Sequence, residues 1–200
     1  MPNKYQNKYR IPSARLKNWD YTSNGAYFIT ICTKNRKHYF GEISNGEMQL
    51  SPIGELAQQF WKEIPLHFPS VELGNFAVMP NHMHGILIIS TVQTLHCNVS
   101  NISNNDKKTL HCNVSTDPNP DPDDSKKNPI PSPKPGSIST IIRSYKSVVT
   151  KNAHYSNKEF QWHSRFHDHI IRNSESFERI QNYIADNPAN WGKDKFSKRK

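Results

Sequence analysis

The apolar positions of this chain change period several times, and each change marks an element. Residues 27–33, YFITICT, alternate and are rich in β-branched side chains, which predicts a strand. Ser51-Pro52 then supplies a capping hydroxyl followed by proline at the first helical position. Behind it Ile53, Leu56, Ala57, Phe60, Trp61 and Ile64 recur at helical spacing, so an amphipathic helix is expected to run to about Pro65. Residues 71–79 predict a second strand, and Pro80-Asn81 turns the chain into an antiparallel partner over 82–89. A second helix is expected from Gly136-Ser137, carrying Ile138, Ile141, Ile142, Tyr145, Val148 and Val149. Residues 160–166 read as a short strand or extended segment. Ser174 is expected to cap a third helix that runs through Phe177, Ile180 and Ile184 until Pro188 stops it. The order β-α-β-β-α-β-α predicts an α+β fold, a ferredoxin-like antiparallel sheet with helices packed on it.

One segment belongs to no element. Between residues 91 and 135 lie seven of the fourteen prolines, many Asn, Asp and Ser, and the heptad TLHCNVS twice. Such a composition cannot bury enough apolar surface to offset its ordering entropy, so a disordered low-complexity loop is expected there. The repeated pairs His96-Cys97 and His111-Cys112 lack the usual spacing of a zinc site, and duplication of a short coding tract explains them more simply. The expected organisation is a basic N-terminal segment at 1–24, a domain at 25–192 interrupted by the 91–135 loop, and a basic tail at 193–200.

Composition narrows the partners. Three cysteines are too few and too scattered for a disulfide framework. The basic N-terminal stretch has no hydrophobic region behind it, and no apolar run is long enough to span a bilayer, so a cytoplasmic protein without a membrane partner is expected. The net charge is +9 and the pI near 9.5. The 91–135 segment balances five lysines against five aspartates, so the whole excess sits on the foldable sequence. That favours nucleic acid as partner.

The candidate chemistry begins at MPNHMHGILII, residues 79–89. In a strand, His82 and His84 point to the same face and can hold one metal ion through their nitrogens. The plainer reading makes one a core histidine and the other a turn residue. On the last helix Asn187 offers an amide oxygen suited to magnesium or manganese, and Tyr183 lies one turn before it. A tyrosine beside a metal ion can attack a phosphodiester, although packing against Ile180 and Ile184 would explain it equally. A metallohydrolase of another kind would need carboxylates near the histidines, and none occurs between Gly74 and Gly85.

PNHMHGILI, SISTIIRSYKSVVTK, FQWHSRFHDHIIRN and NYIADNPANW, four separated blocks in order, resemble the REP-associated tyrosine transposases, a branch of the single-tyrosine HUH (His-hydrophobic-His) transposases. The resemblance runs from about Tyr27 to Trp191, broken only by the loop, and makes 25–192 an HUH transposase domain. It implies a metal-dependent endonuclease and strand transferase acting on single-stranded or hairpin DNA through a 5′-phosphotyrosine. His82 and His84 match the HUH motif, Tyr183 the nucleophile, and Asn187 the polar third ligand, with Mg2+ or Mn2+ as the cofactor. His169 falls in a family block, with an active-site or structural role. Tyr145 is a rival nucleophile, ranked below Tyr183 because Val149 stands four residues on. Arg143, Lys146, Lys151, Arg165 and Arg172 are the expected DNA-binding residues, with Trp162, Phe166 and Trp191 available to stack on bases or to pack in the core. A monomer is favoured, with a homodimer as the alternative. The competing function is a catalytically idle DNA-binding protein on the same fold, regulating repeat sequences.

Overall fold

The computed structural model describes residues 4–5, 8–9, 19–90 and 133–197. The 91–132 part of the expected loop, the two His-Cys pairs and most of the N-terminal segment lie outside the described residues. Two short strands, β1 (Lys4–Tyr5) and β2 (Lys8–Tyr9), pair with each other. The main body follows as β3 (Gly25–Cys32), a hairpin of β4 (Gly41–Ser44) and β5 (Glu47–Leu50), α1 (Pro52–Lys62), α2 (Ile64–His67), β6 (Val71–Met79), β7 (His82–Ile89), α3 (Ile138–Ser156), β8 (His167–Ile171) and α4 (Ser174–Ala185).

Strands β6, β7, β3 and β8 form one antiparallel sheet in that spatial order. With α1 and α3 as the crossings, this is the ferredoxin-like α+β arrangement. The two-residue period of β3 and β7 explains why the sheet has two different faces. Tyr27, Ile29, Ile31, Met83, Leu87 and Ile89 point to one side and pack with Trp61 of α1 and with Ile141, Tyr145 and Val149 of α3 in the main core. Alternate residues, Phe28, Ile86 and Ile88, point to the other side, where Phe177, Ile180 and Ile184 of α4 cover them. Gly85 lets the α1 indole lie directly on the strand: a Cβ there would collide with the Trp61 ring.

Local signals act as expected at α1 and α3. The Ser51 hydroxyl accepts from the Gly54 amide, and the Ser137 side chain accepts from Thr140. At α4 the cap is Asn173 rather than Ser174, because Asn173 keeps an extended backbone and its Oδ1 accepts from the Ser176 amide. Residues 160–166 form an extended segment with a single bridge, Trp162 to Thr33. Buried Phe160 and the bond from the Trp162 indole to the Lys146 carbonyl hold it, and the regular strand begins only at His167. The β4–β5 hairpin, turned by Asn45 and Gly46 at positive φ, was not anticipated. No helix among the described residues is long and apolar enough to cross a membrane.

Candidate active site

His82 and His84 stand at the start of β7 on the face that carries α4, opposite Cys32 and Thr30 of β3. Both are buried, with 0% and 2% of their surface exposed. Each ring is held from behind. His82 Nδ1 lies 2.9 Å from Asn81 Oδ1, and the Asn81 amide nitrogen donates to the Phe196 carbonyl. That second bond turns Oδ1 towards the imidazole, so His82 carries its hydrogen on Nδ1 and keeps a lone pair on Nε2. His84 Nδ1 lies 2.9 Å from the Thr30 hydroxyl. The two Nε2 atoms then face each other at 3.0 Å. Either His84 Nε2–H donates to His82, or His84 gives its hydrogen to Thr30 and both lone pairs converge.

The second state suits a metal. Two nitrogens each about 2.1 Å from one ion and at right angles lie about 3.0 Å apart. Burial, followed by the charges of Lys195 and His167, lowers the His84 pKa to about 3. His82 is also held well below the usual imidazole range, by burial first and then by His84, Arg36 and Lys195. Both rings are therefore neutral at pH 7, the form that ligates. An Asp194 carboxylate oxygen, 3.9 Å from His82 Nε2, completes a His-His-Asp cluster that could hold a metal ion.

Helix α4 brings the phenol. Tyr183 Oη lies 3.3 Å from His84 Nε2, and its ring stands edge-on to Phe28, which stacks on His84. Burial and the Asp194 charge raise its pKa, while a side-chain hydrogen bond from Asn187 pulls the other way. The hydroxyl is therefore protonated at neutral pH. Asn187, just past α4, is buried, and its Oδ1 has no hydrogen-bond partner. An orphaned amide oxygen beside Tyr183 fits a hard cation as ligand. The donor set as a whole, two imidazoles with an amide and a carboxylate oxygen, suits a divalent ion.

The other expected residues divide. Arg165 lines the cleft of about 500 Å³ that opens in front of His84 and Tyr183, together with His163, His167 and Lys195. Arg172 and His169 line a neighbouring hollow, so His169 is not brought to the imidazole pair. Lys146 is occupied, donating to the His163 carbonyl at 2.7 Å. Arg143 and Lys151 are exposed on α3, the helix packed on the opposite face of the sheet. Tyr145 belongs to that opposite core, fully enclosed, with its hydroxyl donating to the Ala57 carbonyl. Trp162 packs in the same core. Trp191, by contrast, stacks on His82, and Phe196 lies 4.5 Å from the same ring. Sequence reasoning missed Thr30, Asn81, Asp194 and Phe196. Asn81 had one available signal, its place directly before the histidine pair.

No family model matches the chain. A solved REP-associated tyrosine transposase bound to a REP hairpin superposes with a TM-score of 0.54 at 18% identity, over 91% of this chain and 75% of that one. The fold is that of a REP-associated tyrosine transposase. An uncharacterised protein of Haemophilus influenzae is 35% identical over 184 residues, 91% of this chain and 90% of its own length. The two belong to one family. Within the transposase fold shared with the solved structure, β7 and α4 are the elements that carry the histidine pair and Tyr183.

Proposed function

We propose that the protein is a metal-dependent endonuclease and strand transferase that acts on single-stranded DNA beside hairpins, with Tyr183 as nucleophile. The observation that carries this reading is the 3.3 Å approach of Tyr183 Oη to one of two neutral, facing imidazoles. His82 and His84 would hold Mg2+ or Mn2+, with Asn187 Oδ1 and the Asp194 carboxylate as further ligands. The bound ion would supply Lewis-acid polarisation of the scissile phosphate and stabilise the phenolate. Phe28 fixes the Tyr183 ring against His84, and Arg165 and Lys195 border the cleft where the phosphate charge would lie. In the cleavage step the Tyr183 oxygen forms a bond to phosphorus, the bond to the 3′ oxygen breaks, and that oxygen leaves as a 3′-hydroxyl after taking a proton. The phenol proton passes to water, to which the 45% exposed side chain is open. The 5′-phosphotyrosine conserves the diester energy, so a 3′-hydroxyl can reverse the step and join strands. Support for hairpin DNA as the partner comes from the REP hairpin held by the solved transposase of the same fold.

A second reading is favoured by one observation. The Phe196 ring lies against His82 and lines the cleft, taking space a substrate would use. On that reading the protein binds DNA with an idle site. A denaturing gel with 3′-labelled hairpin DNA and manganese or magnesium separates the two. A protein–DNA adduct that disappears with Tyr183→Phe and with His82→Ala supports the transferase. Binding without an adduct in either metal supports the idle site, and an adduct that survives Tyr183→Phe refutes this choice of nucleophile.

A further inference from the structure

The cleft in front of Tyr183 does not end at the sheet edge. Its wall includes His167, the first residue of β8, and the same side chain lines a second hollow of about 580 Å³. That hollow is bordered by His169, Arg172 and Arg179, with Ser176 and Asn173 adding polar groups. Asp168 is the one carboxylate among the described residues lining it. The register explains the continuity. His167 and His169 alternate on β8 opposite Thr30 and Phe28, the β3 residues that support the site, so they face the same side of the sheet as His84. β8 is an edge strand, which leaves this row open along one flank. Arg179 comes from α4, about a turn and a half from its start and one turn before Tyr183, so the same helix borders both hollows.

We infer that the His167–His169–Arg172–Arg179 hollow is a second, non-catalytic binding site for the sugar–phosphate backbone of single-stranded DNA flanking the cleaved bond. The inference rests on the single-stranded DNA reading above. From His167 to Arg172 an extended chain covers about 17 Å, the length of about five stacked nucleotides at 3.4 Å each. A strand leaving the Tyr183 cleft along β8 meets a cationic side chain on both sides of the hollow, from the strand and from α4. The two guanidiniums, with Ser176 and Asn173, offer charge and hydrogen-bond donors that suit phosphate oxygens, and Tyr21 adds an aromatic wall. Contacts to phosphate hold the backbone without reading sequence. It positions DNA for the site without touching the reacting atoms.

The test uses the full-length protein, fluorescein-labelled (dT)15, and anisotropy titrations across a range of NaCl concentrations. Arg172→Ala/Arg179→Ala should weaken binding roughly tenfold and lower the salt slope by about 1.4, since each neutralised phosphate of a single strand contributes about 0.7. Arg172→Lys/Arg179→Lys should restore most of the affinity, which separates lost charge from lost folding. Lys62→Ala/Lys158→Ala, which removes two exposed charges outside both hollows, should leave the slope unchanged. Wild-type affinity and slope in the double arginine variant would overturn the inference, as would a loss confined to a 15-base-pair duplex. If the variant loses binding as expected but neither protein forms a covalent adduct with hairpin DNA and manganese, the backbone site stands and the transferase reading fails. If the wild type shows no salt-dependent binding at all, both fail.

Discussion

The two faces of the central sheet are built to different specifications. On the α1–α3 side, large apolar side chains interlock and polar groups are few: the Tyr145 hydroxyl donates to the Ala57 carbonyl, and the buried Trp61 indole N–H has no hydrogen-bond partner. On the α4 side the apolar cluster is small, and β7 spends its first two outward positions on buried imidazoles. One face supplies most of the stability and the other accepts a cost to hold reactive groups. Burying the Asn187 amide oxygen without a donor costs stability unless a ligand arrives to bond it.

The largest effect should come from the apolar face. Trp61→Ala removes a fully buried indole that packs on Gly85 and Tyr145 and should cost about 3–5 kcal/mol in urea unfolding. A loss under 1 kcal/mol would mean that this core is not where stability resides. Acid probes the other face. An unfolded histidine takes a proton near pH 6.5, whereas His84 in the fold resists until about pH 3 and His82 is held low as well. With more protons bound when unfolded, stability is full above about pH 6.5 and falls as pH drops towards 3. The slope is about 1.4 kcal/mol per pH unit for each imidazole that stays neutral. Chemical denaturation in EDTA across this range measures it, and a flat profile would show that the rings are not held neutral.

Asn81→Ala should lower manganese affinity by about 10- to 100-fold, because the His82 ring loses the acceptor that fixes its tautomer. Calorimetric titration reads this directly, and unchanged affinity would mean that His82 needs no such support. The smallest effect on stability belongs to Tyr183→Phe. It deletes one partly exposed hydroxyl and should shift unfolding by less than about 1 kcal/mol, while abolishing the DNA adduct. A large destabilisation would make Tyr183 a packing residue instead.

Much of this contrast was legible in the chain. Period-two alternation placed β3, the Pro80-Asn81 turn placed β7, and the two-residue repeat of a strand put His82 and His84 on one face before any fold was known. Helical spacing, with the Ser51 and Ser137 caps, located α1 and α3. The β4–β5 hairpin was overlooked because its strands are short and half-exposed, although Asn45-Gly46 was a usable turn signal. Asp194 was hidden for a physical reason: within KDKFSKRK it is one acid among cations, and such a run reads as a solvated tail. Its position beside His82 depends on the Phe196 carbonyl meeting Asn81, a contact across 115 positions that no local pattern encodes. The five expected DNA contacts were chosen by charge alone. Charge does not say which side of a sheet a helix will cover, so Arg143 and Lys151 fell on the far layer.

The sheet order has a consequence for synthesis. β3 lies inside the sheet, between β7 and β8, yet β8 and α4 are made long after β7. Roughly a hundred residues separate His84 from Tyr183, about 5–20 s of translation at usual speeds. Throughout that interval β3 is an open edge, exposed to pairing with other chains, and the imidazoles wait with neither phenol nor carboxylate beside them. The nascent protein is thus most vulnerable to aggregation while it cannot yet cut DNA, and the late arrival of β8 and α4 closes the edge and completes the site together.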